Sequence, residues 1–286
     1  MTAPPLAPCG EPALRLPGLR LLRHVAAASL GDVYLAVRES DGLPLAVKVL
    51  QLGGRTRPVH LERLLREHAL LAAVDHPNVI RIHAAGRVED RAWLAREYFE
   101  RGDLRCELGR ALAPHRVHAL AIQLARALQA IHAAGIVHGD LTPQNVMLRS
   151  DGSVVLSDFG IARPLDGDCG VVVPAAAPER IGTPFYLSPE QARGEAVRPA
   201  SDLYSLGVML HEMLTGARPF QADSLELLLA RHQTAPAPRL PASQSEWQPI
   251  LDRLMAKQPP DRYPGATALL ADLARLAQPS AQPGWG

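Results

Sequence analysis

The stretch "IVHGDLTPQNVML", residues 136–148, sets a polar loop between two apolar runs. Asp140 and Asn145 lie five residues apart in this loop. Asp is common in turns because its side chain bonds to nearby backbone groups, so turn chemistry alone explains Asp140. It does not explain Asn145, because the chain has only one other asparagine, Asn78. The pair therefore predicts a chemical site in this loop.

The composition excludes several classes of protein. The 286 residues carry 30 Lys and Arg against 29 Asp and Glu, so no basic excess predicts a nucleic-acid partner. No apolar run approaches the ~20 residues that a membrane span needs. The N-terminus "MTAPPLAPCG" has neither the basic start nor the apolar stretch of a secretory signal. Three widely spaced cysteines form no metal or disulfide pattern. We expect a cytoplasmic protein with reduced thiols.

The first third of the chain has strand patterns, and the remainder is mostly helical. Residues 19–50 contain three short β-type runs, and residues 60–74 have apolar side chains at helical spacing. The stretch 117–135 repeats this spacing and ends at a glycine, Gly135, which is typical of a helix C-terminus. Residues 201–216 are apolar nearly all round, which predicts a helix buried inside a domain.

This order of elements predicts an α+β fold with two lobes. The first is a small β-rich lobe with one main helix at residues 19–98, and the second is a larger helical lobe at residues 99–278. Residues 1–18 and 279–286 are rich in proline and have no apolar period, so we expect a disordered leader and a disordered tail.

Five motifs occur in a fixed order: Lys48 in "LAVKV", "HGDLTPQN" at 138–145, "SDFG" at 157–160, "GTPFYLSPEQ" at 182–191 and "SDLYSLG" at 201–207. In this order and spacing the chain resembles the bacterial eukaryotic-like (Hanks-type) Ser/Thr protein kinases, over roughly residues 19–275. Any one motif is weak evidence, but five in order are specific. The resemblance implies transfer of the γ-phosphate of ATP to Ser or Thr of a protein substrate.

The resemblance assigns this chemistry to five residues. Lys48 would hold the α- and β-phosphates of ATP, and Glu67 on the following helix would pair with its ammonium. Asp140 would orient the attacking hydroxyl and accept its proton. Asn145 and Asp158 would bind Mg²⁺ or Mn²⁺ through oxygen atoms, which hard cations prefer. For Glu67 the competing interpretation is a solvated surface charge. The presence of Lys48 and of the "HPN" motif at the family's spacing favours the ion pair with Lys48.

The resemblance also implies where the nucleotide would lie. The phosphates would sit under a glycine loop, and the adenine would contact apolar side chains and the backbone of a hinge. For the apolar positions, packing in a core explains the same residue types nearly as well. The implied positions are Ala26, Ala28, Gly31, Val33, Ala46, Glu97, Phe99 and Met147.

Two departures from the family pattern weaken this site. The phosphate loop G-x-G-x-x-G-x-V reads "AAASLGDV" at residues 26–33, so Ala26 and Ala28 replace two glycines and only Gly31 remains. Thr142 stands where the Ser/Thr kinases have a lysine that contacts the γ-phosphate. By analogy with an oxyanion donor, that loss costs ~3–4 kcal/mol of transition-state stabilisation. We therefore expect weaker ATP binding and a slow enzyme.

A third departure concerns regulation. In many kinases an arginine before the catalytic Asp binds a phosphate on the activation loop, but here that residue is Gly139. Residues 161–182 contain no Ser, Thr or Tyr, and the first hydroxyl is Thr183. Both features predict that activation-loop phosphorylation does not regulate this chain. Regulation is then left to an activating partner or to the position of the helix that carries Glu67.

Several other residues have structural roles in the family. The resemblance implies a buried ion pair of Glu190 with Arg262. It also implies that Asp202, on a helix, anchors the catalytic loop, residues 138–145. His138 and Phe159 would stack with Leu71 as part of an internal spine. A metal-ligand role for His138 is disfavoured because no second His lies at ligand spacing.

Two other functions compete with a protein kinase. A pseudokinase that binds nucleotide or acts as a scaffold fits Thr142 and the missing glycines, but not the retained Lys48, Asp140 and Asn145. A small-molecule phosphotransferase also uses an "HGD" loop. The "GTPFYLSPEQ" and "SDLYSLG" motifs argue against it, because in the family they serve a protein substrate.

Overall fold

The computed structural model describes residues 14–28, 31–52, 69, 71, 74–159, 162–164 and 184–276. The chain divides into two compact units, Met1–Asp75 with Ile80–Glu100, and His76–Val79 with Arg101–Gly286. The predicted first lobe, residues 19–98, differs from the first unit because residues 76–79 belong to the second unit and residues 99–100 to the first. The predicted tail and most of the helix predicted at 60–74, with Glu67, lie outside the described residues.

The first unit is built on a five-stranded antiparallel sheet in the order β1-β2-β3-β5-β4. Strand alternation puts one set of apolar side chains on a single face, where they form the core of this unit. The strands are β1 (Leu19–Ala28), β2 (Gly31–Arg38), β3 (Pro44–Gln51), β4 (Ile82–Val88) and β5 (Arg91–Glu97). The core consists of Leu16, Leu19, Ala36, Leu45, Val47, Val49, Trp93 and Ala95.

The start of this unit corrects the predicted leader. Leu16 is only 5% exposed and forms a β-bridge with Leu19, and Leu14 packs against the same core. Leu14 and Leu16 alternate with polar or small residues, which is a strand-like pattern that the many nearby prolines obscure. The packed part of the chain therefore begins before residue 19, and the other leader residues, 1–13, lie outside the described range.

The second unit consists mostly of helices around a central one, α3. The helices are α1 (Pro114–Ala133), α2 (Pro189–Ala192), α3 (Pro199–Thr215), α4 (Leu225–Thr234), α5 (Gln248–Leu254) and α6 (Ala266–Leu276). Every residue of α3 from Ser201 to Leu214 is buried, which confirms the prediction of a buried helix. Two short ribbons complete this unit: β6 (Ile136–Val137) with β9 (Arg163–Pro164), and β7 (Val146–Leu148) with β8 (Val154–Leu156).

The segment His76–Val79 belongs to the second unit because Asn78 is bonded into it. The Asn78 side-chain amide donates to the Val154 carbonyl at 2.8 Å, and the Asn78 carbonyl accepts the Leu156 N–H at 2.8 Å. The predicted α+β class is confirmed. Within the described ranges, no helix combines the length and the hydropathy needed to cross a bilayer.

The buried pair of Glu190 and Arg262 is confirmed. The two Nη atoms of Arg262 donate to the two carboxylate oxygens of Glu190 at 2.8 Å each, in a bidentate arrangement. Burial alone would raise the pKa of Glu190, but the bonds from Arg262 and from Ser201 hold it below its usual 4.5. Its contribution to stability is therefore present above pH 4.5 and is lost as the pH falls through the lowered pKa.

We expect Arg262→Met to lower the free energy of unfolding by about 3–5 kcal/mol, because it leaves Glu190 buried without its partner charge. Urea unfolding at pH 7 measures this effect. Arg275→Met is the matched control: the Arg275 side chain is 76% exposed in its ion pair with Asp272, and pairs near the surface contribute at most ~1 kcal/mol. Equal losses for the two variants would contradict the prediction.

Candidate functional site

The loop at residues 138–145 is held by the carboxylate of Asp202 on α3. Asp202 accepts the backbone N–H of His138 at 2.9 Å and that of Gly139 at 2.8 Å. Nε2 of His132 lies 2.8 Å from the same carboxylate. Burial acts to raise the pKa of Asp202, yet the bond to His132 and the backbone donor hold it below its ordinary value. The predicted anchor is confirmed, and it is ionised at neutral pH.

His138 connects the loop to the strand that precedes Asp158. Its Nε2 lies 3.0 Å from the Ser157 carbonyl, and its Nδ1 accepts the Asp140 N–H at 3.2 Å. Because a carbonyl only accepts, the imidazole carries its proton on Nε2. Its ring also packs edge-on against Phe159, with centroids 4.9 Å apart, which confirms the predicted stacking of these two side chains.

Asn145 fixes Asp140 across the loop. Its side-chain amide donates to the Asp140 carbonyl at 2.8 Å and reaches Oδ2 of the Asp140 carboxylate at 3.3 Å. A short 3-10 turn, Pro143–Asn145, produces the return of the chain that brings the two residues together. Asp140 and Asn145, five residues apart in the sequence, are thus in direct contact.

The β7–β8 ribbon brings Asp158 to the same place. Val146 pairs with Leu156, so the residues just outside this pair, Asn145 and Ser157, are neighbours, and the Asn145 carbonyl accepts the Ser157 N–H at 2.8 Å. Asp158 follows with φ +62°, a left-handed conformation that is uncommon for a residue other than glycine. Such backbone strain concentrates at functional sites, where the surrounding structure enforces it.

The carboxylates of Asp140 and Asp158 lie close enough to interact electrostatically. Burial raises the pKa of Asp140, and the nearby negative charge of Asp158 raises it further. Two carboxylates and the amide oxygen of Asn145 form a donor set of hard oxygens, which suits Mg²⁺ or Mn²⁺ better than a softer metal. A divalent cation would also relieve the repulsion between the carboxylates. The chemistry of these residues therefore fits a hard divalent cation.

Thr142, two residues after Asp140, is buried and has an unpaired hydroxyl. Its side chain is 2% exposed, and its hydroxyl has no hydrogen-bond partner among the described residues. It lines a pocket of about 320 Å³ together with Tyr186, Glu212 and Arg218, all within the second unit.

Gly139 has a backbone role. Its φ of +74° lies in the left-handed region, where an arginine would be strained. Its carbonyl accepts the side-chain amide of Gln191 at 2.7 Å, so the "SPEQ" segment holds the loop from a second side.

In the first unit, one face of the sheet collects several residues that the sequence assigned to nucleotide binding. Val33 pairs with Ala26 on β1 and with Lys48 on β3, and directly paired residues share a face. Ala46, two residues from Lys48, lies on this face as well, whereas Leu45 and Val47 point into the core on the other. Lys48 is only 5% exposed, so this ammonium is largely withdrawn from water.

Gly31, the one glycine left in the loop motif, is required by its contacts. A Cβ at this position would lie 2.2 Å from the Val49 carbonyl oxygen, and φ is +114°. Neither feature tolerates another residue. Ala28 pairs with Gly31 at the end of the hairpin.

The remaining assigned residues lie at strand ends or beyond. Glu97 ends β5, Phe99 is buried just after it, and Met147 is a half-buried residue of β7 that forms a β-bridge with Asp103. Glu67 lies outside the described residues, and so do Thr183 and most of the predicted activation segment.

Comparison with known proteins agrees with this geometry. A family model described as the protein kinase domain matches residues 20–272. The chain belongs to this family. The kinase domain is 33% identical to serine/threonine-protein kinase Pkn1 of Myxococcus xanthus, over 95% of this chain and 41% of that protein. It is 34% identical to PknH of Mycobacterium tuberculosis, over 90% of this chain and 41% of that protein.

A third relative, PknA of Mycobacterium tuberculosis, is 34% identical over 92% of this chain and 64% of its own length. The chain thus spans about half the length of the curated relatives it matches. The predicted resemblance to bacterial Ser/Thr kinases is confirmed.

Sequence reasoning missed two groups of residues in the kinase domain. Gln191 was not assigned a role, although "SPEQ" has the S-x-x-Q spacing of a capping box, which the structure shows at Ser188. The surroundings of Thr142 were also missed. Tyr186 and Glu212 come from distant parts of the chain, and no local pattern indicates that they meet.

We expect Asp202→Asn to loosen the catalytic loop, because an amide offers one acceptor oxygen where the carboxylate offers two. Losing one bond of this kind costs about 1–3 kcal/mol, which corresponds to roughly 5- to 150-fold faster exchange of the His138 and Gly139 amides. Hydrogen-exchange NMR measures both amides. Asp252→Asn, an exposed position on α5, is the control. Unchanged exchange at both amides in Asp202→Asn would refute the anchoring role.

Proposed function

We propose that this kinase domain transfers the γ-phosphate of ATP to Ser or Thr of a protein substrate, at a low rate and without activation-loop phosphorylation. The observation that carries the proposal is the contact of Asn145 with Asp140, beside the strained Asp158. In this arrangement a half-buried carboxylate, the proposed proton acceptor, lies next to the proposed oxygen ligands of a cation, and phosphoryl transfer uses both.

Asp140 is the proposed base. Its raised pKa makes it a stronger proton acceptor than an ordinary Asp, which favours removal of the proton from an attacking hydroxyl. Asn145 holds one carboxylate oxygen of Asp140, and His138 accepts its backbone N–H, so little reorganisation is needed when the substrate arrives.

The charge of the phosphates is the second requirement. A divalent cation bound by Asn145 and Asp158 would neutralise part of it. In the first unit, the buried ammonium of Lys48 is proposed to hold the α- and β-phosphates, with Glu67 as its partner. Val33 and Ala46, on the same face of the sheet as Lys48, are proposed to contact the adenine.

The proposed low rate follows from the position of Thr142. Its buried hydroxyl is neutral, so it cannot replace the charge of the family's lysine. The same observation supports a second candidate, a pseudokinase that binds nucleotide without transferring phosphate. We favour the enzyme because Asp140, Asn145 and Asp158 are retained and Asn145 contacts Asp140 directly.

Regulation is proposed to depend on an activating partner. Gly139 supplies no guanidinium for a loop phosphate, and residues 161–182 offer no hydroxyl.

An ATP-dependent enzyme with an exposed, unpaired Cys106 suits a reducing compartment, so we propose the cytoplasm.

The deciding experiment is transfer of radiolabel from ATP, with Mg²⁺ or Mn²⁺, to the protein itself and to a mixture of protein substrates. We expect slow transfer that Asp140→Asn and Lys48→Met each reduce to background, because one removes the base and the other the phosphate ligand. Nucleotide binding is followed in parallel by thermal shift. Binding without transfer would establish the pseudokinase instead, and transfer that survives both substitutions would refute the assigned site.

We further expect Thr142→Lys to raise the rate of transfer, because it adds a cation two residues from Asp140. The gain in kcat is expected to approach ~10²–10³, the effect of one charge-stabilising donor. The adjoining pocket of about 320 Å³ gives the longer side chain room. Thr142→Met, which adds length without charge, is the matched control and is not expected to increase kcat. A Lys variant no faster than the Met variant would show that Thr142 does not limit the rate.

A further inference from the structure

The pocket beside Thr142 has no role in the chemistry described above. It lies wholly in the second unit, next to the catalytic loop, and its volume of about 320 Å³ is enough for one large side chain. The lining residues are Arg105, Leu108, Gly109, Thr142, Pro143, Gln144, Tyr186, Glu212 and Arg218.

Two buried polar atoms of this lining are unsatisfied. Within the described ranges, neither the Thr142 hydroxyl nor Nε of Arg218 has a hydrogen-bond partner. Buried polar groups in native proteins nearly always have partners. The unpaired Thr142 hydroxyl, beside an Arg218 Nε whose ion-pair partner Glu212 is 3.5 Å away, therefore indicates room for a further ligand. Nε of an arginine can only donate, and a hydroxyl can donate as well. Such a ligand must therefore supply acceptors.

The one carboxylate of the lining is already engaged. Glu212 accepts a hydrogen bond from the Tyr186 hydroxyl, and its other oxygen lies 3.5 Å from Nε of Arg218 in an ion pair. Burial and this carboxylate together raise the pKa of Tyr186, so the phenol keeps its proton and continues to donate. A cationic side chain entering the pocket would have to compete with Arg218 for Glu212.

The two arginines, by contrast, are oriented by neighbouring side chains. The guanidinium of Arg218 lies over the ring of Phe185, 4.0 Å from its centroid. Arg105 is oriented by Asp103 through two bonds of 2.8 and 2.7 Å, made by its Nε and Nη2. A guanidinium fixed in this way binds carboxylate or phosphate oxygens at a low cost in entropy.

We propose that this pocket receives an oxyanion carried by the protein substrate: the carboxylate of an Asp or Glu, or a phosphoryl group placed earlier on the substrate. Thr142, Arg105 and Arg218 supply the donors. The pocket selects substrates with such a group at a fixed distance from the phosphorylated hydroxyl. This inference rests on the proposed protein kinase function, and it names the class of substrate.

The test is a set of peptides with one Thr, in which Ala, Asp, phosphoserine or Arg is scanned through the flanking positions. Transfer is measured for the wild type, Arg218→Met, Thr142→Val and, as the matched control, Arg239→Met, an exposed arginine outside the pocket. At one position we expect Asp or phosphoserine to raise kcat/KM about tenfold over Ala, the effect of one charge-assisted hydrogen bond. Arg218→Met should abolish this preference, Thr142→Val should reduce it, and Arg239→Met should leave it unchanged.

The peptide arms distinguish the two sources of the oxyanion. A larger gain for phosphoserine than for Asp would identify a substrate that is phosphorylated beforehand. A preference for Arg at that position, or no preference at any position, would overturn the proposal, as would an acidic preference that survives Arg218→Met.

Binding of the same peptides, followed by fluorescence anisotropy, separates this proposal from the proposed function. Tighter binding of acidic peptides that depends on Arg218 but comes without transfer would sustain the pocket and refute the kinase. Transfer without any Arg218-dependent difference in binding or rate would sustain the kinase and refute the pocket.

Discussion

The catalytic loop depends on one buried carboxylate. Asp202 is 1% exposed, and its negative charge is stable there only because two backbone N–H groups and His132 donate to it. These bonds fix the chain at His138 and Gly139, and the next residue is Asp140. The helix that carries Asp202 is buried along nearly its whole length, so the anchor itself has little freedom to move. The position of the proposed base is thus set from the centre of the second unit.

The sequence predicts a residue best where its role is local or where a whole motif carries it. The spacing of Asp140 and Asn145 indicated a chemical site in their loop, and the apolar surface of α3 indicated its burial. The pairing of Glu190 with Arg262 followed from a family pattern, because the two residues lie far apart in the chain. The surroundings of Thr142 were not predictable in either way. They are built from three distant segments and from residues such as Arg218 that belong to no motif.

Two glycines of the sequence motifs, Gly31 and Gly139, are required by the backbone of the fold. Gly31 persists because the backbone of the neighbouring strand leaves no space for a Cβ, which is a demand of the sheet and not of a nucleotide. Gly139 occupies a left-handed conformation that an arginine would adopt only with strain. In each case the fold alone explains the glycine. Ala26 and Ala28, where the family motif has glycine, lie in an extended strand in which alanine is unstrained. The fold therefore does not require glycine at these two positions.

The tip of the β7–β8 ribbon offers a position for a fluorescent label outside the site. Its register is fixed by three residue pairs, and the turn beyond them is closed where the Arg149 N–H donates to the Ser153 carbonyl at 2.9 Å. Ser150 and Asp151, at the tip, are exposed, whereas Asn145 and Asp158 lie at the opposite end of the ribbon. A cysteine introduced at position 150, in a chain whose native cysteines have been replaced, would therefore carry a fluorophore on the same rigid hairpin as both proposed cation ligands. Such a label would report on ligand binding without touching the site.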